Sequence, residues 1–390
     1  MINLRVRFIY MECFIVYYLL FLYYVTPKSI SIDYKAFNYL VQVELTVGKE
    51  QVNFPINMLS PYTWINYPIK KKTNDAIIHG TSNIIVSGSK FDVSDITEVI
   101  ELQGKKSMLR FYAGNINSYI VRDSGYAFPY RFDVNEFSIV YQLKKFGFID
   151  YLAFSFIPFG KEGKMRFGTF PHRIREKYNM GMCKVNDMLS TWGCSLHDVI
   201  IGDLHFSNTY NMKFQSMGDS IAVPEEFFYA LTHVFDSNSC QVKTSRKEMY
   251  YYCKAEYINN YKNEVKFVIG DYKYTFDMKD LFLCEEVNYC NSAFVFDQIH
   301  VKEWTFGYIF LSHYISSFDY EKGIIKFFSK DKIEKLYNDE NIKDSDDCYD
   351  NDISYEFALI IKYIMAVIIL ILVVSLIYLL IVLKKTMIYN

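Results

Sequence analysis

The stretch FPINMLSPYTWI, Phe54–Ile65, decides how this chain is read. An apolar run ends on Asn57, Met58 and Leu59 follow, Ser60 comes next, and Trp64 with Ile65 closes the frame. Around it the pattern is mainly β. Aromatic residues make up 18% of the 390 residues, with 35 Tyr and 33 Phe, side chains that suit pleated, half-buried surfaces. KFVIGDYKYTF (Lys266–Phe276) reads as two strands around a Gly-Asp turn. Amphipathic helix is scarce, and EEFFYALTHVF (Glu225–Phe235), opened by Pro224 and two acids, is the clearest case. Charge is balanced, 42 basic residues against 44 acidic, so a nucleic-acid partner is not expected and Lys70–Lys72 reads as a solvated loop.

Other segments follow in order: VELTVGKEQVNF (Val43–Phe54), LRFYAGNINSYIVRD (Leu109–Asp123), FIDYLAFSFIPFG (Phe148–Gly160), TWGCSLHDVIIGD (Thr191–Asp203), KFQSMGDSIAVPEEFF (Lys213–Phe228) and WTFGYIFLSHYISSFDYEKGIIKF (Trp304–Phe327). Together with Phe54–Ile65 they resemble the landmarks of the pepsin-like aspartic proteases, peptidase family A1, over roughly Tyr39 to Phe327. The resemblance puts Asn57 at the first catalytic Asp, Met58 and Leu59 at its Thr and Gly, and Ser60 and Trp64 at the family's Ser and Trp. It puts Gln215 at the second Asp, Ser216 at its Ser and Met217 at its Gly. Val43–Phe54 takes the place of the entry hairpin. Leu109–Asp123 takes that of the flap hairpin, with Phe111 at the flap tyrosine and Tyr112 beside it. Phe148–Gly160 takes the place of the stretch closing the first half-site, its three glycines replaced. Asp150 and Asp319 match positions that are structural in the family. Cys253 and Cys290 resemble its second-lobe disulfide pair. The implied fold is mainly β and bilobal, with a cleft between an N-terminal lobe over 32–182 and a C-terminal lobe over 183–329.

The chemistry implied by the family needs two carboxylates sharing one proton, one taking a proton from water while the other gives one to the scissile carbonyl. Asn57 and Gln215 are amides and do neither. Leu59 and Met217 put bulky apolar groups where glycine lets two backbones approach. Asp219 is a weak rescue candidate: moving it onto the second catalytic place puts Ile221 on the glycine and Pro224 too close behind. In the first lobe no Asp or Glu lies between Glu50 and Asp75. Trp64, Phe111 and Tyr112 are expected to fill core or line the old cleft.

The ends of the chain predict a membrane protein. Arg5 and Arg7, then the apolar run Phe8–Val25 and the small residues Ser29 and Ser31, read as a signal peptide over 1–31. An uncleaved anchor is the alternative. Residues 330–356 are charged and form a stalk. Within 357–383, Tyr363 to Leu383 carries no charge and exceeds the about 20 residues that cross a bilayer core. Lys384 and Lys385 follow in the tail 384–390, so that end is expected in the cytosol. The lobes then face the lumen or the exterior, in the secretory pathway or at the cell surface, as in a single-pass type I protein. Of eight cysteines, Cys13 lies in the leader and Cys348 in the stalk. Cys183, Cys194, Cys240, Cys253, Cys284 and Cys290 fall in or near the second lobe, with the connectivity open. The seven His are scattered and no Cys-x-x-Cys occurs, so neither metal nor cofactor is expected.

Three functions follow. The first is a tethered pseudoprotease binding a peptide or protein partner. The second is an active aspartic endopeptidase with a non-standard catalytic residue. The third is a structural or interaction ectodomain with a closed cleft. Loss of the acid from both loops favours the first or third.

Overall fold

The chain folds into two large sheets that share one aromatic core. The computed structural model describes residues 28–37, 40–58, 63–65, 72–86, 89–102, 104–114, 126–127, 137–160, 162–168, 178–186, 189, 191–216, 218–245, 248–284, 288–297, 304–330 and 332–335, with positions 364, 369, 372, 373 and 375. The first half supplies β1 (Ile30–Phe37), β2 (Leu40–Val47), β3 (Glu50–Asn57), β4 (Trp64–Ile65), β5 (Ile77–Val86), β6 (Ser89–Leu102), β7 (Lys105–Ala113), β8 (Tyr126–Ala127), β9 (Ala153–Phe159) and β10 (Glu162–Phe167). The sequence pattern is direct here: β10 buries alternate residues, which sets its inner face. Val47 pairs with Glu50 across Gly48, whose φ of 59° suits a tight two-residue turn. That turn is the hairpin expected over Val43–Phe54.

After β11 (Asn179–Lys184) the chain builds the second sheet from β12 (Gly193–Ile201), β13 (Leu204–Phe214), β14 (Ile221–Ala222), β15 (Cys240–Ser245), β16 (Glu248–Lys254), β17 (Glu264–Ile269), β18 (Tyr272–Asp277), β19 (Phe282–Leu283), β20 (Tyr289–Asp297) and β21 (Trp304–Phe306). It ends with β22 (Ile315–Asp319), β23 (Ile324–Ser329) and β24 (Ile333–Lys335). The Gly-Asp hairpin is present: Ile269 pairs with Tyr272 around Gly270 at φ 56°. The expected helix is present but short. It runs over Glu225–Ala230 from Pro224, then tightens to a 3₁₀ turn at Leu231–His233.

One sheet runs β11-β23-β22-β9-β10-β1-β2-β6-β7-β4, with β3 on β2, β8 on β3 and β5 on β6. The other runs β15-β16-β20-β14-β21-β13-β12-β17-β18-β24, with β19 on β20. Strands β22 and β23 come after the whole run β12–β21 yet, with β11, complete the first sheet. Their packing explains the aromatic content. Phe154 stacks on Phe318 at 4.8 Å, Trp192 meets Phe318 at 5.2 Å and Tyr320 at 4.7 Å, and Phe214 reaches Phe327 at 5.3 Å. Residues from both sheets thus bury one another. Edge-to-face ring pairs add about 0.5–1.5 kcal/mol each beyond their buried area.

Among the described residues three disulfides form: Cys183–Cys194, Cys240–Cys253 and Cys284–Cys290. Such bonds mark a domain of the secretory pathway or the exterior. Cys183–Cys194 ties β11 of the first sheet to β12 of the second. The expected Cys253–Cys290 bond is corrected. Cys253 stands opposite both Cys240 and Cys290, and its sulfur bonds the former while Cys290 bonds Cys284. Cys13 and Cys348 lie outside the described residues.

No helix among the described residues is long and apolar enough to cross a membrane. The span expected over 357–383 lies outside them except for the five isolated positions, each helical. The stalk beyond Lys335 and the tail also lie outside, as does the leader up to residue 27. Its last four positions belong to the fold. The Lys28 backbone N–H donates to Asp150 Oδ2 at 2.6 Å, Arg166 Nη2 donates to Ser29 Oγ at 3.3 Å, and Ile30 and Ser31 pair with Phe167 and Arg166.

Candidate functional site: two loops joined by one hydroxyl

Asn57 ends β3, whose last four residues are buried; it is 7% exposed and the following Met58 is 0% exposed. A short parallel strand supports it, since Ile56 pairs with Tyr126 and Asn57 with Ala127 of β8. Gln215 follows β13 in the same way. There β21 runs parallel, Phe214 pairing with Phe306, and the Gln215 N–H donates to the Phe306 carbonyl at 2.9 Å. Each loop thus leaves a strand held by a short parallel neighbour.

A buried hydrogen bond joins the loops. Ser216 Oγ, in a fully buried residue, donates to the Ile56 carbonyl at 2.6 Å. Ser216 follows Gln215 and Ile56 precedes Asn57, so the two amide residues flank a single contact. The position equivalent to Ser216 in the first loop is Met58, whose side chain carries no hydroxyl to return the bond.

Beyond Gln215 the loop is clamped from behind. The Tyr308 N–H donates to the Gly218 carbonyl at 2.8 Å, and the Gly307 N–H to the Ser220 carbonyl at 3.0 Å. A Cβ on Gly307 would lie 2.4 Å from the Ser220 oxygen and 2.7 Å from that of Gly218, so only glycine fits this approach. Gly218 turns with φ 87°. Asp219 lies between the two clamped carbonyls and is partly exposed. Leu59, Ser60 and Met217 lie outside the described residues.

Phe111 and Tyr112 pack into the fold. Phe111 is on β7, 1% exposed, inside the core. Tyr112 stacks on Phe137 at 4.2 Å, and its backbone pairs with that of Trp64. Beside them Arg110 makes a two-pronged contact with Asp95, Nε to Oδ1 at 2.9 Å and Nη2 to Oδ2 at 2.7 Å, and lies over Phe137. The Gln142 side chain bonds both backbone groups of Arg110, at 2.7 and 2.9 Å. This is a packed wall, so the flap reading of Leu109–Asp123 is corrected for Phe111 and Tyr112. The hairpin that runs past this wall is β5–β6: among the described residues β6 pairs with β7 only from Ser94 onward, so residues 82–86 and 89–93 extend beyond that edge as two strands. The signal in the sequence was Ser87-Gly88 between two β-rich runs.

Phe148–Gly160 does not take the expected place beside the first loop: the strand beside Asn57 is β8, and Ala153–Phe159 forms β9, between β10 and β22. Asp150 caps the Lys28 backbone. Asp319 accepts hydrogen bonds from the Tyr151 hydroxyl and the backbone N–H groups of Glu321 and Lys322, at 3.1, 2.9 and 2.9 Å, while burial pushes its carboxyl upward in pKa. Both hold backbone in place.

Chemically, two amides at this junction offer hydrogen-bond donors and acceptors but no exchangeable charge near neutral pH. A bound peptide backbone is a group they are able to recognise. A family model described as "Eukaryotic aspartyl protease" matches residues 124–329. No curated protein matches the chain.

Proposed function

The chain belongs to the eukaryotic aspartyl protease family, and from that premise we propose that it is a membrane-tethered, catalytically silent member that binds a peptide or protein partner between its lobes. The observation that carries this reading is the pair of amides around the Ser216–Ile56 bond. Where the loops meet, Asn57 and Gln215 bring hydrogen-bonding capacity without the proton-sharing pair that hydrolysis requires. The tether rests on the uncharged run to Leu383 and the lysines after it. Ile364, Leu372 and Val373, helical and 53%, 44% and 42% exposed, fit a lipid-facing helix. The disulfides agree with lobes on the lumenal or outer side.

The complete burial of Met58 favours a second reading, in which the floor of the groove is filled and the outer faces do the binding. One experiment decides the main issue. Full-length protein, purified in detergent, is incubated with a broad peptide pool at acidic and neutral pH, with and without pepstatin. No pepstatin-sensitive product is expected. Sensitive cleavage that disappears in Asp219→Ala would instead establish an active endopeptidase with a displaced acid.

A further inference from the structure

Three cysteines of the second sheet stand on a single rung, and a fourth, Cys284, follows β19 directly at its end. Cys240 of β15 is the register partner of Cys253 of β16, and Cys253 is also the partner of Cys290 of β20. On the far edge of β20, Leu283 pairs with Asn291, so the next step along both strands brings Cys284 level with Cys290. The bonds join the two outer pairs. The inner pair, Cys253 and Cys290, is unbonded, although residues directly opposite in an antiparallel pair hold their Cβ atoms about 4.5–5.5 Å apart. That is close to the separation a disulfide needs, about 3.5–4.5 Å. Access is graded along the rung. Cys284 is exposed, Cys240 is 8% exposed, and Cys253 and Cys290 are 0% exposed.

We propose that Cys284 is a covalent modification site for small thiols of the glutathione class, and that the rung responds by moving its bonding inward to Cys253–Cys290. The incoming thiolate attacks the Cys284 sulfur. A mixed disulfide forms there, the Cys284–Cys290 bond breaks, and the electron pair leaves on Cys290. The Cys290 thiolate then attacks the neighbouring Cys253 sulfur. Cys253–Cys290 forms, Cys240–Cys253 breaks, and the pair leaves on Cys240, which takes up the proton the small thiol gave. Two disulfides become two disulfides, and nothing is oxidised or reduced overall.

Burial supplies the direction. After the first step alone, a thiolate would sit at a fully buried position, which disfavours it. The second step transfers the charge to Cys240, toward the solvent. The shift requires no change of register, because Tyr252 with Asn291 and Lys254 with Tyr289 already flank the inner pair. The new bond also closes a longer loop than those it replaces, whose separations are 13 and 6, so the unfolded chain stays constrained.

The test uses the full-length chain in detergent. It is incubated with reduced glutathione, quenched in acid, alkylated with N-ethylmaleimide and digested without reduction for mass spectrometry. The expected map has glutathione on Cys284, N-ethylmaleimide on Cys240, and Cys253 linked to Cys290. Glutathione on Cys284 with Cys290 alkylated and Cys240–Cys253 intact would overturn the proposal, as would the absence of any adduct on Cys284. In Cys253→Ser the Cys290 thiolate has no outlet and recaptures the Cys284 sulfur, so the adduct falls several-fold. An undiminished adduct would also overturn the proposal. If that variant does not fold, the map of the natural chain decides alone.

Discussion

At the residue level, Ser216 links the two loops. Its hydroxyl donates a hydrogen bond from one to the other, and the acceptor is buried. Ser216→Ala leaves the Ile56 carbonyl without this donor, and the expected loss is about 1–3 kcal/mol, read from the urea midpoint. Ser216→Thr keeps the hydroxyl and should lose much less. A second residue governs acid stability. His313 first, then Lys332, act on the Asp280 carboxylate and hold its pKa at about 2, below the ordinary 3.8. A carboxylate with a depressed folded pKa contributes fully above the unfolded value and loses that contribution as pH falls through the folded one. Asp280→Asn should therefore be less stable at neutral pH and should decline less between pH 3.8 and about 2, as measured by unfolding across a pH series. That Asn57 ends a strand and Gln215 follows one was legible in the sequence because those runs are local. The clamp on Gly218 and Ser220 was not, because its donors lie at Gly307 and Tyr308, far along the chain.

At the scale of the element, local turns were readable and distant pairings were not. The hairpins β2–β3 and β17–β18 each hinge on a glycine with positive φ between alternating runs, so the sequence alone specifies them. Strand β8 is two residues long and exists through its parallel contact with β3, which no local pattern announces. The misplaced flap has a compositional cause. With 35 Tyr and 33 Phe, a Phe-Tyr pair matches an aromatic landmark easily, and Phe111–Tyr112 turned out to be core and wall. The projecting part of β5–β6 makes its own prediction. Among the described residues, 82–86 and 89–93 pair with each other alone, whereas Ser94–Leu102 also pair with β7. Hydrogen exchange should run faster across 82–86 and 89–93 than across 94–102, and equal protection would mean that another surface covers these strands.

For the molecule as a whole, the first sheet is unfinished without strands that follow the second sheet's own run in the sequence. Strand β9 takes β22 as its neighbour, and β23 and β11 complete that edge. Residues 28–182 expressed alone should therefore show no cooperative thermal transition, and addition of 183–338 should restore one. A sharp transition in the isolated fragment would show that the first half closes its own sheet. A mainly β fold was readable from the alternating, aromatic-rich runs. The shared sheet was not, since it depends on which strands meet after the second half has folded.

The last described strands also determine how a pull on the end of the chain would be borne. Strand β24 meets β18 through three register partners, Lys335–Tyr272, Glu334–Lys273 and Ile333–Tyr274, whereas β23 lies deep between β11 and β22. Tension arriving from beyond Lys335 would peel that short outer strand first. Only afterwards would it load the buried seam, giving a sacrificial link ahead of a strong one and two well-separated rupture forces.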